Sequence, residues 1–524
     1  MHVAGLARIY AADVDVSRLH TIPQLLELTA RWDVAGLITI NMLTDNVLLE
    51  IFDFYVIEGF RLLGRRRLEG WQVLAHVCRR WRIVLFQSPR RLNLRLLCTP
   101  QTRVRDILDV WPTLPLVIHD PYGIPKHWNG TSGVDNIIAA LERNDRVCQI
   151  QLRHLTTSSE LKYVTDSAAM HKPFPELTDL QLGGFVYNVE SILPDSFLGG
   201  TAPRLRSLYL DGVPFPGLPK LLLSATHLVC LDLLNISPSG YIPPEAMATS
   251  LSALTNLESL HLHFRDPRSR PALGSQRLSP PPLTRTILPS LTKIRFKGAS
   301  EYLEEILARI DAPRLGELHI TFFNQITFDT PQLFQFIGRR PTLRAPEKGH
   351  IAFNSEAIFV GFLSQRSDYA VLSVRILCTA SEWQLSSLEQ VCTSSLPPLS
   401  TLEDLYIFED QVNPPRWQDD VENTLWLELL RPFAAVKNLY PCKEFVPRIA
   451  PALQELDGGR ATEVLPTLEN IFLEGFQPLG PLHEGIEKFV ATRRLTSHPV
   501  AVSRWHRERH REIYPVATSR WYDW

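Results

Sequence analysis

The chain has 524 residues, of which 45% are hydrophobic and 21% charged, with a formal net charge of −2. This composition is typical of a soluble folded protein, and the length exceeds the roughly 250 to 300 residues at which a single core stops growing. The seven cysteines contain no C-x-x-C pair, and no apolar run reaches the roughly 18 to 20 residues of a membrane span, so a disulfide framework, a zinc ribbon and a membrane protein are disfavoured. We expect a protein of the cytoplasm or nucleus with several domains or a repeat array.

Residues 1–40 are treated as an N-terminal extension, and the first predicted element follows it. "LTDNVLLEIFDFYV" begins at Leu43 and predicts a helix with Thr44 as N-cap and Asp45 in the first turn. "WQVLAHVCRRWRIVLF" predicts a second helix. Both have apolar residues at intervals of three and four, which give each helix one apolar face. These residues are Val47, Leu48, Ile51, Phe52 and Tyr55 in the first helix, and Trp71, Leu74, Cys78, Trp81 and Leu85 in the second.

The segment from Glu58 to Arg105 is strongly basic, with twelve arginines against two glutamates. Such a patch steers an acidic partner toward the protein. Clustered arginine with aromatic residues is also typical of nucleic-acid binding, but no recognised nucleic-acid motif accompanies the patch. The pattern therefore favours a protein partner, with arginines at the rim of an apolar interface.

A repeat of the form L-x-x-L-x-L runs through most of the rest of the chain, with spacings of 21 to 34 residues between successive copies. Each L-x-L predicts a short strand whose two apolar side chains share a face, because side chains alternate along a strand. Stacked copies predict a parallel sheet backed by helices such as "NIIAALERN" from Asn136 and "EYLEEILARI" from Glu301. The first apolar residues of the strands are Ile150, Leu180, Leu208, Leu231, Leu260, Ile294, Leu318, Ile351, Leu372, Leu405, Leu439 and Ile471.

The residue between each apolar pair should lie on the open face of this sheet. The residues predicted to form this target-binding surface are Gln151, Gln181, Tyr209, Asp232, His261, Arg295, His319, Tyr406 and Phe472. They are polar or aromatic, a mixture that suits protein recognition, although an ordinary solvated face would look similar. His261 and His263 share a face and could suit a metal, but two exposed strand residues are the simpler interpretation.

Two segments depart from the repeat. Residues 265–289 have clustered proline and no apolar periodicity, which predicts an inserted loop, with Ser279 before Pro280 as a conceivable phosphorylation site. Residues 481–524 lack the repeat and are interpreted as a terminal cap or a disordered tail, which could bind acidic surfaces.

Residues 41–98 resemble the F-box, a helical motif of about fifty residues, through Leu43-Thr-Asp-Asn-Val-Leu-Leu-x-Ile-Phe52 and Val77-Cys-x-x-Trp81. Followed by leucine-rich copies over 99–480, the chain is similar to F-box proteins abundant in mushroom-forming fungi. The resemblance implies an α/β fold, namely an irregular leucine-rich-repeat solenoid (a horseshoe with a parallel sheet) preceded by a small all-α module. The family usually has proline after the opening leucine, and Thr44 takes its place here.

The resemblance also implies the partners. In that family the F-box binds the Skp-type adaptor of a cullin-RING ubiquitin ligase, and the repeats hold the target protein. The residues that would face the adaptor or support that face are Leu43, Val47, Leu48, Ile51, Phe52, Val77, Cys78 and Trp81. As an alternative, they would be core residues of a helical cap on a repeat scaffold without any ligase.

The motifs that carry catalysis are missing from the sequence. It contains no phosphate loop G-x-x-x-x-G-K-[ST], no nucleophile elbow G-x-S-x-G and no zinc helix H-E-x-x-H. We therefore expect a non-catalytic adaptor without a cofactor or metal, which binds proteins and neither nucleic acid nor a membrane.

Overall fold

A computed structural model provides the structure of the chain. It describes residues 43–62, 70–89, 92, 94–100, 104–110, 113–120, 131–153, 158–183, 192–269, 285–325, 328–344, 346–363, 370–396, 399, 401–410, 413–415, 417, 423–456, 458–474 and 484–505. These residues divide into two compact units. The described parts of 43–98 and 104–117 form the first, and 99–100, 118–120 and the described residues from 131 onward form the second. Among them no helix is both long enough and apolar enough to cross a membrane.

The first unit is mainly helical. Its elements are α1 (Asp45–Leu62), α2 (Gly70–Val77), α3 (Arg79–Gln87), β1 (Leu96–Cys98) and α4 (Val104–Val110), followed by β2 (Leu116–His119), whose residues are divided between the units. The predicted start of the first helix at Asp45 is confirmed. The predicted single second helix is wrong, because the backbone is extended at Cys78 and the Cys78 Sγ accepts a hydrogen bond from the Trp81 backbone N–H at 3.4 Å. Cys78 therefore caps a separate helix.

The second unit is built from strands and helices in alternation. Its strands are β3 (Val147–Leu152), β4 (Asp179–Gly183), β5 (Ser207–Asp211), β6 (Cys230–Ile236), β7 (Ser259–Phe264), β8 (Thr286–Ile287), β9 (Lys293–Gly298), β10 (Ile310–Asp311), β11 (Glu317–Phe322), β12 (Lys348–Phe353), β13 (Ala357–Leu363), β14 (Ala370–Leu377), β15 (Asp404–Glu409), β16 (Asn438–Pro441), β17 (Asn470–Glu474) and β18 (Ala501–Trp505). In its long sheet the strands lie in the order β3-β4-β5-β6-β7-β9-β11-β14-β13-β12-β15-β16-β17-β18.

This sheet is parallel except at β13. The predicted first apolar residues are direct register partners, for example Leu180 with Leu208 and Leu208 with Leu231, so the phase of the repeat is confirmed for them. Ile351 is the exception, because Gly349 is the residue of β12 that pairs with Leu405, and the predicted phase of that strand is wrong. The chain order is not kept throughout, because β13 pairs antiparallel with both β12 and β14. As a result β14, not β12, follows β11, and β12 pairs with β15.

Helices form a second layer of this unit. They are α5 (Thr131–Leu141), α6 (Ser158–Thr165), α7 (Leu218–Ser224), α8 (Pro244–Leu251), α9 (Ser300–Arg309), α10 (Pro331–Gly338), α11 (Pro341–Arg344), α12 (Ser381–Gln390), α13 (Asn423–Leu430), α14 (Val446–Gln454) and α15 (Glu484–Leu495). Short 3₁₀ turns lie at Ala168–His171, Phe197–Gly200, Pro238–Gly240, Pro267–Ser269 and Gly458–Arg460, and a π turn at Val391–Ser395. The helices predicted around Asn136 and Glu301 are confirmed as α5 and α9.

The structure describes parts of the two irregular segments. Within 265–289, the strand β8 pairs with β10, so the interpretation of the entire segment as a loop is wrong there, and 270–284 with Ser279 lies outside the described residues. Within 481–524, α15 and β18 add a further helix and strand, and β18 pairs parallel with β17. The sheet therefore continues to Trp505. Residues 506–524 and the N-terminal extension lie outside the described residues.

Candidate interaction surfaces

The predicted target-binding residues form a row across the sheet. Seven of them, on consecutive strands from β3 to β11, are direct register partners of their neighbours. They are Gln151, Gln181, Tyr209, Asp232, His261, Arg295 and His319. Because the flanking leucines are buried on the opposite face, this row lies on the face away from the leucine core.

The same row continues to the last strand. Its further members are Ser373, Gly361, His350, Tyr406, Tyr440, Phe472 and Ser503. Tyr406 and Phe472 were predicted, whereas the others were missed. The antiparallel β13 was not predicted, and the counterpart of Leu405 in β12 is Gly349, two residues before the predicted Ile351.

The C-terminal part of the row is more buried than an open face would be. Tyr406 is only 2% exposed, which makes the expectation of an accessible Tyr406 wrong. Its ring stacks on that of Tyr440 with centroids 4.2 Å apart, and Tyr440 stacks on Phe472 at 4.6 Å. The edge of Trp505 meets Tyr406 at 6.1 Å. Aromatic side chains on neighbouring strands thus cover one another, and only half-buried Tyr440 and Phe472 keep part of their surface in solvent.

The N-terminal part of the row is polar and internally bonded. The Arg153 guanidinium lies 4.1 Å from the centre of the Tyr209 ring and donates a hydrogen bond to the Tyr209 hydroxyl at 3.0 Å. Burial, together with the nearby Asp211 carboxylate, raises the pKa of Tyr209 to about 12, so the hydroxyl stays protonated. On the next strands His261 Nδ1 lies 2.7 Å from Asp232 Oδ1. These contacts hold the side chains in fixed positions, which reduces the entropy lost on binding a partner.

The two histidines of β7 share a face as predicted, with rings stacked at 6.3 Å. They are not the exposed residues expected, since both are half-buried. Burial first, and then the charges of His261, Lys297 and Arg295, lower the pKa of His263 to about 3. A neutral His263 between cations is a poor start for a metal site, because an added cation would meet the same repulsion.

A different group has the residue types of a metal site. Among the described residues, Cys442, Glu444 and Glu474 offer ligand atoms that lie within 4.8 Å of one another. Burial raises the pKa of the Cys442 thiol to about 12, with the neighbouring carboxylates adding to the effect. Since the thiolate is the metal ligand, this thiol would have to lose a strongly held proton, and the group carries no metal assignment.

The centre of the face carries a basic pocket of about 40 Å³, which we define by His263, Arg295, Lys297, His319, Thr321 and Arg375. Next to it Lys293 Nζ lies 2.6 Å from Glu317 Oε2. His319 Nδ1 lies 2.8 Å from Ser373 Oγ, and burial followed by the charges of Arg295 and Lys293 lowers the His319 pKa to about 4. The centre of the face is therefore positive and its histidines are neutral.

The predicted adaptor-binding residues separate into two groups. Leu48 and Phe52 are fully buried in the first unit, and Leu43, Val47 and Trp81 are half-buried. Ile51, Val77 and Cys78 are exposed. The centres of the Phe52 and Trp81 rings are 4.9 Å apart, so the buried Phe52 packs directly against the half-buried Trp81.

Two exposed residues of this surface were missed, Val73 at 40% and Ile83 at 45% exposure. Val73 lies four residues before Val77 on α2, which places both on one helix face. The spacing could have identified Val73, but the break at Cys78 put the residues of α3 out of the predicted phase. We call Ile51, Val73, Val77 and Ile83 the apolar patch of the first unit.

Comparisons with known proteins leave the family open. No model of a known protein family matches the sequence, and no curated protein matches it. A solved structure, the leucine-rich repeat-containing protein LegL7 from Legionella pneumophila, matches with 14% identity over 77% of this chain and 98% of that chain, at a TM-score of 0.25. The repeat architecture is shown by the strand order and register described above.

Proposed function

We propose that the chain is a non-catalytic adaptor subunit of a cullin-RING ubiquitin ligase. In this proposal α1 to α3 act as an F-box that binds a Skp-type adaptor, and the leucine-rich repeats form a horseshoe that holds a target protein. The observation that carries the proposal is the apolar patch of the first unit. The protein would act in the cytoplasm or nucleus.

The apolar patch is a concentration of exposed apolar surface. The described residues expose eleven large hydrophobic side chains, and four of them lie in the short segment from α1 to α3. Apolar groups left in water cost about 25 cal/mol per Å², so a cluster of them indicates a surface that is covered in the working assembly. Leu48, Phe52 and Leu74 are buried behind the patch and hold the helices that present it.

Charge at the edge of the patch supports a protein partner. Arg79 and Arg82 are exposed on α3, next to Ile83. Arg80 is oriented by an ion pair with Asp45 at 2.7 Å and by a hydrogen bond to the Leu43 carbonyl. Cations around an apolar centre raise the rate of encounter with an acidic partner and add specificity. Acidic adaptors would be favoured over neutral ones.

The repeats supply the surface for a target. The row on the open face contains tyrosine and arginine side chains. These two types are enriched among the residues that contribute most of the binding energy in protein interfaces. Tyr209 and Arg295 are half-buried and held by neighbours, so they can act as rigid contacts. The competing function is a repeat scaffold that binds partners without a ligase, and the two functions differ only in the role of the first unit.

The test is co-purification of a Skp-type adaptor with the full chain. The double substitution Ile51→Asp and Val77→Asp places charges at exposed positions, where folding should tolerate them. We expect adaptor binding to weaken by at least about 100-fold, since two charges would be buried without partners at the interface. Leu223→Asp on α7, 51% exposed, is the matched control and should bind like wild type.

The controls separate the two functions. Thermal melting must show that the double variant is folded. Equal adaptor binding by the folded double variant and wild type, or no binding by wild type, would exclude the ligase function and leave the scaffold function. Loss of binding in the Leu223→Asp variant as well would mean that the measured association is not specific to the patch.

A further inference from the structure

The basic pocket is formed by side chains of four neighbouring strands. His263, Lys297, Thr321 and Arg375 are successive register partners on β7, β9, β11 and β14. Adjacent strands lie about 4.8 Å apart, so the backbones of Lys297 and Arg375, two strands apart, are separated by about 10 Å. Their long side chains can therefore converge over Thr321. Arg295 stands two residues before Lys297 on the same face of β9.

The lining of this pocket is rich in cations. It includes the permanent cations Arg295, Lys297 and Arg375, and none of the described residues that line it is acidic. Burial lowers the pKa of Lys297, and the positive charge of Arg375 lowers it further. The carboxylates that flank the pocket are Glu317, close to Lys293 and 3.7 Å from His319 Nε2, and Asp232, close to His261. Both also act on Arg295, whose pKa they raise against the larger effect of burial. The positive charges of Lys297 and Arg375 repel each other in this half-buried site, and an anion bound between them would relieve that repulsion.

We propose that this pocket binds a doubly charged oxyanion, that is, a phosphate or sulfate group. A carboxylate carries one negative charge and two acceptor oxygens, whereas a phosphoryl group carries about −1.5 to −2 and three strong acceptor oxygens, which suits contact with Lys297, Arg375 and Thr321 together. Arginine guanidinium groups match the geometry of such oxygens. The Thr321 hydroxyl and the N–H group of the neutral His263 imidazole can donate further hydrogen bonds.

The size of the pocket limits the ligand to one small group. One ordered water needs a cavity of about 10 to 15 Å³, so the pocket of about 40 Å³ has room for roughly three waters or one small anion. The group can come from two sources, a free anion or a phosphorylated residue of a bound polypeptide. The pocket lies on the face proposed to bind a target, but anion binding does not depend on the first unit or on any adaptor.

The experiment is a calorimetric titration of the full chain with sodium phosphate at about pH 7.5, where phosphate is mainly the dianion. Sodium chloride at matched ionic strength gives the reference. We expect saturable binding to wild type, a loss of about tenfold or more in Lys297→Gln and in Arg375→Gln, and no binding to the double variant. Lys220→Gln, which removes an exposed lysine on α7, is the control and should bind like wild type.

The charge-conserving variants Lys297→Arg and Arg375→Lys keep the test valid if a glutamine variant does not fold, and they should retain most of the binding. Absence of saturable heat above the chloride reference, or unchanged affinity in folded Lys297→Gln and Arg375→Gln, would overturn the proposal. An equal loss in Lys220→Gln would do the same, because it would indicate general charge attraction.

A second titration identifies the source of the anion. A short peptide with one phosphoserine is compared with the same peptide carrying serine and with inorganic phosphate. Tighter binding of the phosphopeptide than of phosphate would assign the pocket to a phosphorylated chain. Equal or weaker binding would assign it to the free anion. Both results depend on the same cations, and neither changes if the adaptor fails to bind the first unit.

Discussion

The substitution Arg493→Met should remove a buried hydrogen-bond centre from the last repeats. Arg493 lies on α15 and is fully buried. Its Nη1 donates to the Ala461 carbonyl at 3.0 Å, and its Nη2 lies within 3.2 Å of the carbonyls of Leu465, Pro466 and Leu468. The guanidinium therefore holds the turn that leads into β17. Methionine has a similar apolar stem but no donor.

The magnitude follows from two opposing contributions. Nη2 has two protons for its three acceptors, so about three hydrogen bonds form at a time; at about 1.5 to 3 kcal/mol for each bond from a charged donor they amount to roughly 4.5 to 9 kcal/mol. The burial of the charged guanidinium costs several kcal/mol, and the same burial lowers the Arg493 pKa. Removal of one partner of a buried charged network typically costs about 3 to 5 kcal/mol, and we expect Arg493→Met to lie in that range.

Hydrogen exchange and thermal melting of the full chain would measure the effect. Each repeat contacts mainly its neighbours, so protection should fall in 461–474 and 501–505 and should stay nearly constant in 207–236. Arg494→Met is the control, since Arg494 is exposed beside Arg493 and should change stability by less than about 0.5 kcal/mol. Equal stability of Arg493→Met and wild type, or an equal loss of protection in 207–236, would refute this reasoning.

Two further predictions concern packing and pH. Gly485→Ala should destabilise by about 1 to 3 kcal/mol in thermal melting, because the new Cβ would lie 2.5 Å from the Ala450 carbonyl oxygen; Gly338→Ala, with no atom within 4 Å, should not, and equal melting of the two would contradict the argument. The second prediction rests on three histidines whose pKa burial lowers to about 3 or 4: His263, His319 and His350. Below about pH 6.5 these histidines are protonated in the unfolded chain but stay neutral in the folded chain. The free energy of unfolding should therefore fall as the pH falls from 6.5 toward 4, by up to about 2 kcal/mol for each histidine at pH 5. A denaturation midpoint that stays constant from pH 7 to 5 would contradict it.

The part of the fold that could be predicted from the sequence is local. Leu180, Leu208 and Leu231 are register partners. The six residues of each L-x-x-L-x-L copy are enough to predict which side chains of its strand face the core. The start of α1 at Asp45 is equally local. By contrast, the break at Cys78 depends on one backbone conformation and one sulfur contact, and the flanking apolar spacing continues unchanged across it.

The strand order could not be predicted for a different reason. Periodicity fixes which way a side chain faces but carries no information about which strand is the neighbour. The turn after β12 is stabilised by the Asn354 side chain, which accepts hydrogen bonds from the Glu356 and Ala357 backbone N–H groups. The buried Gln384 side chain of α12 donates to the Asn354 carbonyl at 3.0 Å and to the Cys378 carbonyl at 2.7 Å. The contact between Gln384 and Asn354 joins residues 30 positions apart, and the L-x-x-L-x-L pattern carries no information about it.

The altered strand order also creates the chemistry of the open face. Thr321 of β11 is followed in its row by Arg375 of β14, and the third cation of the basic pocket comes from this pairing. The corresponding residue of β12 is Ala352, since Arg375 pairs with Phe359 and Phe359 with Ala352. Had β12 followed β11 in chain order, an alanine would stand beside Thr321 and the pocket would have two cations. The leucine spacing thus predicts which residues lie on the open face of the sheet. It does not predict the antiparallel β13, which places Arg375 beside Thr321 and so adds the third cation of the basic pocket.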